Sequence, residues 1–358
     1  MALARKISVV LVLGVNGWGI KPVPAINDRV LLLSTQSPIP DLQEFEASGT
    51  MPAYDPSGLK AIPLTDTKTA QLVTVSKDGI EVTGSNKIKI NEAGIQVEDK
   101  NGNKMSKRLG NAVDPFEVLK KDGADATRWY MISNSQPWDN LKFDVDGVDE
   151  CRRKFFGTLY NTYSFFALYA NIDGFTGKEA EVAVEERPEI DRWILSELNT
   201  LVKDVTNYLE DYDPTPAARR IDAFVNENLS NWYVRLNRKR FWGGELTTDK
   251  LAAYQTLYTC LETVAKLAAP FAPFISDRIF CDLNALSQRH SESSVHLAQF
   301  PVADESLINS DLEQTMDIAQ KTSSMVLALR RKVNIKVRQP LTKILIPVLD
   351  AQTEKYID

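Results

Sequence analysis

The sequence of 358 residues is poor in the side chains that most often bind metals or move protons. It has two histidines, His290 and His296, and three distant cysteines that form no C-x-x-C pair. Histidine-based catalysis, a zinc site and a disulfide framework are therefore not expected, and the sequence predicts no metal site. We expect the cysteines to be reduced thiols packed in the helices of a cytoplasmic protein.

Long apolar runs and an excess of positive charge are also missing. No apolar run approaches the roughly 18 residues of a membrane span, so we expect no membrane-spanning segment. Arg5-Lys6 and the apolar residues 7–15 imitate a signal peptide, but no small-residue cleavage site follows, which favours a buried strand. The net charge is −6. Contact with a nucleic acid would therefore need a local basic surface on an acidic protein.

The first hundred residues have an all-β pattern, in which short Val/Ile/Leu runs alternate with turn residues. We predict a small β-barrel-like domain at residues 1–68 and a β-repeat, similar to a β-helix, at residues 69–103. The repeat is suggested by Gly79-Ile80-Glu81-Val82, which recurs as Gly94-Ile95-Gln96-Val97. Two ordinary hairpins with coincidental similarity are the alternative. Two repeats cannot stand alone, so a homotrimer through residues 1–103 or neighbouring domains would cover the edges.

From Asp114 onward the pattern predicts helices. Asp114-Pro115 is typical of a helix start, and Gly123 of its end. Longer amphipathic segments predict helices at residues 148–169, 189–209, 215–241, 249–268 and 312–332. The helix after Thr215-Pro216, which we expect to cap it, should turn Ile221, Val225, Trp232 and Leu236 inward. The central helices should form a bundle, and residues 343–349 a strand of an α+β unit that begins there.

One short segment has the composition of a phosphate-binding loop: Lys104-Met105-Ser106-Lys107-Arg108-Leu109-Gly110-Asn111. Its lysines supply positive charge, Asn101-Gly102-Asn103 supplies mobility, and backbone N–H groups next to a helix start supply donors. A loop lysine that contacts phosphates mainly in the transition state would stabilise the charge that develops there. Taken alone, a Lys-x-x-Lys tetrapeptide is more often a solvated surface run.

Five collinear blocks resemble isoleucyl-tRNA synthetases, which are class I aminoacyl-tRNA synthetases, over about residues 103–358. The loop is similar to the family's KMSKS motif. The other blocks are Asp114-Pro115 with residues 123–129, Ser135–Phe143, Asn231–Trp242 and Arg331–Leu341. The resemblance implies a region with the KMSKS-type loop and stem-contact helices at residues 104–186. It further implies an anticodon-binding helical bundle at residues 187–300 and a truncated C-terminal junction domain at residues 301–358.

The resemblance also implies roles for individual residues. Lys107 would hold the leaving pyrophosphate of ATP, Lys104 and Ser106 would shape the loop, and Met105 would complete the ATP-binding segment. ATP with Mg²⁺ and a tRNA with an isoleucine anticodon are the implied ligand and partner. The chain would form a multidomain protein, all-β at its N-terminus and mostly α afterwards.

The block Asn231–Trp242 can be interpreted physically as well. Asn231, Arg235 and Arg238 recur at helical spacing beside the apolar face, where they could meet phosphate or an unstacked base. Trp232 could stack on a base or lie in the core, and the core is the more common place. Arg235, Arg238 and Arg240 are candidate RNA contacts, and a solvated face is the alternative.

The synthetase chemistry also needs a His-x-Gly-His motif, and no histidine precedes His290. We therefore expect this chain alone not to form isoleucyl-adenylate. Residues 1–100 are similar instead to a phage baseplate spike protein, which implies an OB-like barrel that leads into a trimeric β-helix. These two resemblances predict a chimera joined at residues 99–104, with a remodelled synthetase N-terminus as the alternative.

Overall fold

The computed structural model describes residues 97–346 without a break, except for the side chain of Lys107, and also Tyr356 and six strands near the N-terminus. Contacts between residues divide the chain into two units, Met1–Ile95 and Gln96–Asp358. The six strands belong to the first unit: β1 (Leu11–Gly14), β2 (Gly17–Ile20), β3 (Ile62–Leu64), β4 (Gln71–Ser76), β5 (Gly79–Thr83) and β6 (Ile88–Ile90).

The strands of the first unit pair with their sequence neighbours. β1 and β2 form an antiparallel hairpin, and β3 to β6 form an antiparallel sheet in sequence order. Val75 of β4 lies opposite Ile80 of β5. The first copy of the repeat falls on β5, and most of the second copy and of the barrel-like domain lie outside the described residues. The barrel, the β-helix and the homotrimer therefore stay predictions.

The second unit begins with a parallel strand pair. β7 (Val97–Asp99) lies beside β8 (Leu141–Phe143), and the chain between them contains helices α1 (Pro115–Asp122) and α2 (Ala124–Asn134). The predicted start of α1 is confirmed, because the Asp114 carboxylate accepts a hydrogen bond from the N–H of Phe116 at 2.9 Å. Gly123 ends α1 with φ of +86°, a conformation that glycine adopts without a steric penalty.

A long helical segment follows, made of α3 (Val145–Cys151), a π-helical part at Arg152–Phe156 and α4 (Gly157–Asp173). The helix predicted at residues 148–169 lies within this segment, and its side chains Phe155, Leu159 and Phe166 are buried. Phe155 stacks on Trp129 of α2 with 3.9 Å between the ring centroids. This contact holds the segment against the helices that follow the loop.

The bundle consists of α5 (Glu189–Glu210), α6 (Pro214–Ala223), a π-helical part at Phe224–Val234, α7 (Arg235–Phe241), α8 (Thr248–Ala268) and α9 (Pro273–Ser287). These helices confirm the predicted bundle. One continuous core of buried side chains, from Val118 to Val295, joins it to the helices after the loop. Fully buried aromatic residues dominate this core, among them Trp193, Tyr233, Tyr254 and Phe280.

The prediction that Leu236 faces inward was wrong, and Trp232 faces the core only in part. Trp232 is half-buried and Leu236 is 55% exposed. A stripe of buried side chains runs along every fourth residue, with Phe224 and Val234 buried beside it: Ile221, Val225, Leu229, Tyr233, Asn237 and Phe241. In a regular α-helix each such step would drift by about 40°. The wider turns of the π-helical part cancel this drift and keep the stripe on one side.

Two further predictions were corrected. Thr215 does not cap α6, which begins at Pro214; its hydroxyl donates to the carbonyl of Ile132 at 2.7 Å instead. The segment at 343–346 contains no strand, and residues 347–349 lie outside the described residues. Within the described part of residues 301–358, the main element is α10 (Ser310–Lys332), so no α+β unit is seen there.

Candidate functional site

The loop between β7 and α1 is organised by Asp99. One carboxylate oxygen of Asp99 accepts hydrogen bonds from the N–H groups of Asn101 and Asn103, each at 2.9 Å. The other accepts from the side-chain amides of Asn103 at 3.3 Å and Asn111 at 3.0 Å. These hydrogen bonds from the Asn103 backbone and Asn111 lower the pKa of Asp99 from 3.8 to about 2. The turn in front of the loop is thus fixed by a carboxylate that stays charged.

Asn111 closes the loop from its other end. Its amide oxygen accepts from the N–H of Ser106 at 2.9 Å, and its amide nitrogen donates to the carbonyl of Lys104 at 3.2 Å. Because the same nitrogen also donates to Asp99, one side chain ties both arms of the loop together. The arrangement holds the base of the loop, while Arg108, Leu109 and Gly110 lie at the surface.

Two charged side chains of the loop, those of Lys104 and Arg108, point into solvent. Lys104 and Arg108 are exposed, Met105 and Ser106 are partly buried, and the Ser106 hydroxyl accepts from the N–H of Arg108 at 3.2 Å. Lys107 begins a short 3₁₀ turn that ends at Leu109. Neither Lys104 nor Arg108 makes an ion pair with any described residue, so their charges are available to a ligand.

A second candidate surface lies on α7. Arg235 and Arg238 are exposed and, among residues 97–346, make no ion pair; the same holds for Lys239. Asn231 is also exposed, and its amide is 3.5 Å from the Glu227 carboxylate. We call Arg235, Arg238 and Lys239 the α7 basic face.

Arg240 does not belong to this face. Its guanidinium donates to both oxygens of the fully buried Asp191, at 2.6 and 2.8 Å, and to Asp249 at 3.0 Å. Its side chain is only 14% exposed. The prediction that Arg240 is available to RNA therefore disagrees with its place in the structure, where it fastens α7 to the first turn of α5. Sequence spacing could not reveal a partner 49 residues away.

The aromatic residue on the exposed side of α7 is Trp242 rather than Trp232. Trp242 is 53% exposed and follows α7 directly, whereas Trp232 packs partly against the core. Exposed aromatic rings next to arginines are typical of surfaces that stack on unpaired RNA bases. Trp242 was not among the predicted contacts, although it lies four residues after Arg238 and so continues the helical spacing of Asn231, Arg235 and Arg238.

The loop and the α7 basic face are separate sites. The first belongs to the connection from β7 to α1 and the second to the helical bundle, and no hydrogen bond or ion pair among the described residues links them directly. Asp99 and Asn111 were not among the predicted site residues, although the Asn/Asp-rich sequence around them was a signal that could have indicated them. In the described part of the chain, no group of three or more His, Cys, Asp and Glu residues is placed to hold a metal ion. No described helix is long and apolar enough to cross a membrane.

Two family models match the chain. Residues 191–346 match the anticodon-binding domain of tRNA ligase, and residues 80–144 match class I tRNA synthetases of the I, L, M and V group. The bundle with the α7 basic face and the loop thus fall within these two domains. Residues 80–144 and 191–346 are therefore similar to domains of class I tRNA synthetases.

Within that class, the similar proteins are isoleucine–tRNA ligases. The chain is 67% identical to the one of Bacteroides thetaiotaomicron over 262 residues, which are 73% of the chain and 22% of the relative. It is 61% identical to that of Porphyromonas gingivalis over 277 residues, 77% of the chain and 24% of the relative. For Clostridium novyi the identity is 49% over 250 residues, 70% of the chain and 24% of the relative. The chain spans about a quarter of the length of these curated relatives.

Among solved structures, a LeuRS of Agrobacterium radiobacter K84 in a ternary complex with tRNA and LeuAMS is similar at a TM-score of 0.46 and 24% identity. The match covers 60% of this chain and 24% of that one.

The family match bears on the predicted junction. It begins at residue 80 and includes all of residues 99–104, so that segment is not the edge of the family resemblance. Contacts agree, since β7 pairs with β8 and Glu98 accepts a hydrogen bond from the Asn140 amide at 2.8 Å. The comparisons lend no support to the phage spike resemblance or to a chimera with such a protein.

Proposed function

We propose that this chain contributes the KMSKS-type loop and the anticodon-binding bundle to the reaction of an isoleucine–tRNA ligase. Its partners would be ATP with Mg²⁺ and a tRNA with an isoleucine anticodon, in the cytoplasm. The observation that carries this proposal is the α7 basic face. Its three exposed cations have no protein partner among the described residues, on a domain that matches the anticodon-binding family.

The loop would act on the phosphates of ATP. In this class the carboxylate of the amino acid attacks the α-phosphate, and pyrophosphate leaves. Lys104 and Lys107 would stabilise the charge on the departing phosphates, and Ser106 and Met105 would complete the ATP-binding segment. The hydrogen bonds of Asp99 and Asn111 support this role, because they fix the base of the loop while the Lys104 side chain is exposed and can meet the nucleotide. Mg²⁺ would arrive bound to the ATP phosphates.

The bundle would bind the anticodon arm. Arg235 and Arg238, which are one turn apart, would contact phosphates, and Asn231 would hydrogen-bond to a base edge or the backbone. The half-buried Trp232 would support this surface from below, and the exposed Trp242 would offer a ring to an unstacked base. Each base–aromatic stack is worth about 1–3 kcal/mol.

The experiment is a filter-binding titration of the full chain with a tRNA transcript that carries an isoleucine anticodon. We expect R235Q/R238Q to raise Kd roughly tenfold or more, since each phosphate contact carries part of the salt-dependent affinity. The matched control is R153Q/R278Q, which removes two arginines that lie outside α7 and pair with Asp149 and Asp282, respectively. Equal binding by both variants would show that the α7 basic face is not the anticodon-arm site.

A separate measurement concerns catalysis by this chain alone. Because the sequence contains no histidine before His290, the His-x-Gly-His motif is absent from it. We expect isoleucine-dependent ATP–pyrophosphate exchange by the isolated chain to stay at background. Exchange above that of a K104Q/K107Q variant would contradict this expectation.

A further inference from the structure

Charge is unevenly distributed along α10 and the segment that follows it. The first part of the helix contains Asp311, Glu313 and Asp317 and only one lysine before residue 330. From residue 331 to residue 343 there is no acidic residue, and five basic ones are all exposed: Arg331, Lys332, Lys336, Arg338 and Lys343. None of the five makes an ion pair with a described residue. In a chain with a net charge of −6, this is a concentrated positive surface.

The backbone under this surface is fixed where α10 ends. Asn334 adopts a left-handed conformation with φ of +57°, and its N–H donates to the carbonyl of Arg331 at 3.2 Å. The N–H of Ile335 donates to the carbonyl of Arg330 at 2.8 Å. This pair of hydrogen bonds is a Schellman motif, which satisfies the last carbonyls of the helix and turns the chain sharply.

Arg330 then fastens the segment that follows. Its guanidinium donates to the carbonyls of Lys336 at 2.8 Å and Gln339 at 2.9 Å. Arg330, in the last turn of α10, thus holds the backbone of this segment, and this brings Lys336 and Arg338 back beside the end of α10. Lys336 and Arg338 are therefore presented from a loop held by hydrogen bonds, and Arg331 and Lys332 from the last turn of α10.

The other end of α10 anchors this surface to the bundle. The Glu313 carboxylate accepts hydrogen bonds from the hydroxyls of Ser196 at 2.5 Å and Thr200 at 2.8 Å, both on α5. The N–H of Asn309, which caps α10, donates to the Ser196 hydroxyl at 2.7 Å. The surface therefore has a defined place relative to the helices that precede it.

Helix stability explains only part of this charge. Cations in the last turn of a helix interact favourably with its dipole, which accounts for Arg331 and Lys332. The effect fades beyond the last turn, so it does not account for Lys336, Arg338 and Lys343. Like charges that have no acidic partner among the described residues repel one another, and a polyanion would relieve that repulsion. Lysine and arginine on a fixed backbone suit the phosphates of a nucleic acid.

We propose that Arg331, Lys332, Lys336, Arg338 and Lys343, together named the tail basic surface, bind the phosphate backbone of RNA. This surface adds affinity and places the RNA, and it does not select bases. The inference rests on the proposed function in taking tRNA as the RNA bound, and it assigns that RNA a second contact region outside the α7 basic face.

The test compares the salt dependence of RNA binding by the full chain and two quadruple variants. K332Q/K336Q/R338Q/K343Q removes four cations of the tail basic surface. The matched control is K154Q/K203Q/R278Q/K321Q, whose cations are exposed but pair with acidic residues. Both variants change the net charge equally, because each replaces three lysines and one arginine by glutamine. Circular dichroism checks that each is folded.

For the tail variant we expect the slope of log K against log salt to fall in magnitude by about 3, from roughly 0.7–0.9 per phosphate contact. We expect Kd at moderate salt to rise at least about tenfold, by the same factor for tRNAs with isoleucine and non-isoleucine anticodons. The control should match the wild type. A tail variant with the wild-type slope and Kd would overturn the inference, and so would a loss confined to the isoleucine anticodon.

A second probe separates this inference from the proposed function. An RNA hairpin stem without an anticodon loop should still bind the tail basic surface. Suppose that the wild-type chain binds the hairpin, that the tail variant does not, and that R235Q/R238Q binds tRNA as tightly as the wild type. The tail basic surface then stands and the α7 site fails. If R235Q/R238Q weakens tRNA binding while the tail variant does not, the reverse holds. Absence of binding to either RNA would overturn both.

Discussion

Replacing Arg240 by methionine should destabilise the bundle strongly. Asp191 is fully buried, and its two carboxylate oxygens accept from the Arg240 guanidinium at 2.6 and 2.8 Å. The Tyr233 hydroxyl donates to the same carboxylate at 2.8 Å. Burial opposes the charge of Arg240, but the hydrogen bonds and charge of Asp191 outweigh it and raise the pKa of Arg240. The guanidinium thus stays charged at any pH at which the protein is studied.

The magnitude follows from what remains after the substitution. Asp191 would keep one hydrogen bond, from Tyr233, and would be a buried carboxylate without a counter-charge. Removing one partner of a buried ion pair costs about 3–5 kcal/mol. A domain is stable by about 5–15 kcal/mol in total, so Arg240→Met should remove a large part of the margin.

The measurement is urea denaturation of the full chain followed by circular dichroism at pH 5 and pH 8. An unpaired buried carboxylate has a raised pKa and therefore gains a proton more easily at low pH. Relative to wild type, the deficit in the free energy of unfolding should be smaller at pH 5 than at pH 8. The double variant D191N/R240M removes the buried charge and should recover part of the loss.

The control is Arg238→Met on the same helix. Arg238 is exposed and makes no ion pair with described residues, so its loss should change the free energy of unfolding by no more than about 0.5 kcal/mol. The reasoning is refuted if Arg240→Met costs less than about 1 kcal/mol, or if its cost equals that of Arg238→Met at both pH values.

Three further outcomes are expected elsewhere in the chain. Asn111→Ala removes a hydrogen bond that lowers the pKa of Asp99, so the pKa of Asp99 in the variant should lie above about 2. The measurement is an NMR titration that follows the signal of the Asp99 carboxyl carbon. An unchanged titration midpoint would contradict the loop geometry. The hydrogen bonds stabilise the charged form of Asp99 and thereby lower its pKa. Their contribution to the free energy of unfolding of the wild type should be fully present above about pH 4 and be lost as the pH falls through about 2. Gly147→Ala should lower the free energy of unfolding by about 1–3 kcal/mol, since a Cβ there would collide with the Tyr130 ring, and no shift in urea midpoint would refute this. Burial raises the pKa of the Cys260 thiol, so this thiol should react with iodoacetamide last of the three cysteines, and early labelling would show that the α8 core opens.

The position of α1 was predictable because its signals are local. Asp114-Pro115 and Gly123 start and stop the helix through hydrogen bonds and dihedral angles within a few residues. The long helices of the bundle were predictable for the same reason, since their apolar residues recur with the period of a helix. The loop, with Lys104 and Ser106, was singled out by the family resemblance of residues 104–111 and of the blocks that follow in order, because a Lys-x-x-Lys tetrapeptide alone is more often a solvated surface run.

Other features depend on contacts that no local pattern contains. The inward side of α7 shifted by one residue because the preceding π-helical part turns more widely than an α-helix. A spacing rule therefore chose Trp232 and Leu236, whereas the packed residues are Tyr233 and Asn237.

By itself, the sequence determined the helical bundle, the loop with its lysines, and the family blocks, because hydrophobic period, capping residues and motif order are all local properties. Only the tertiary structure decided which arginines of α7 can meet a ligand. Arg238 faces solvent, whereas Arg240, two residues later, is neutralised by an aspartate 49 residues away. The physical reason is that the availability of a charge depends on its partner in space, and the chain brings that partner close only when α5 and α7 pack together.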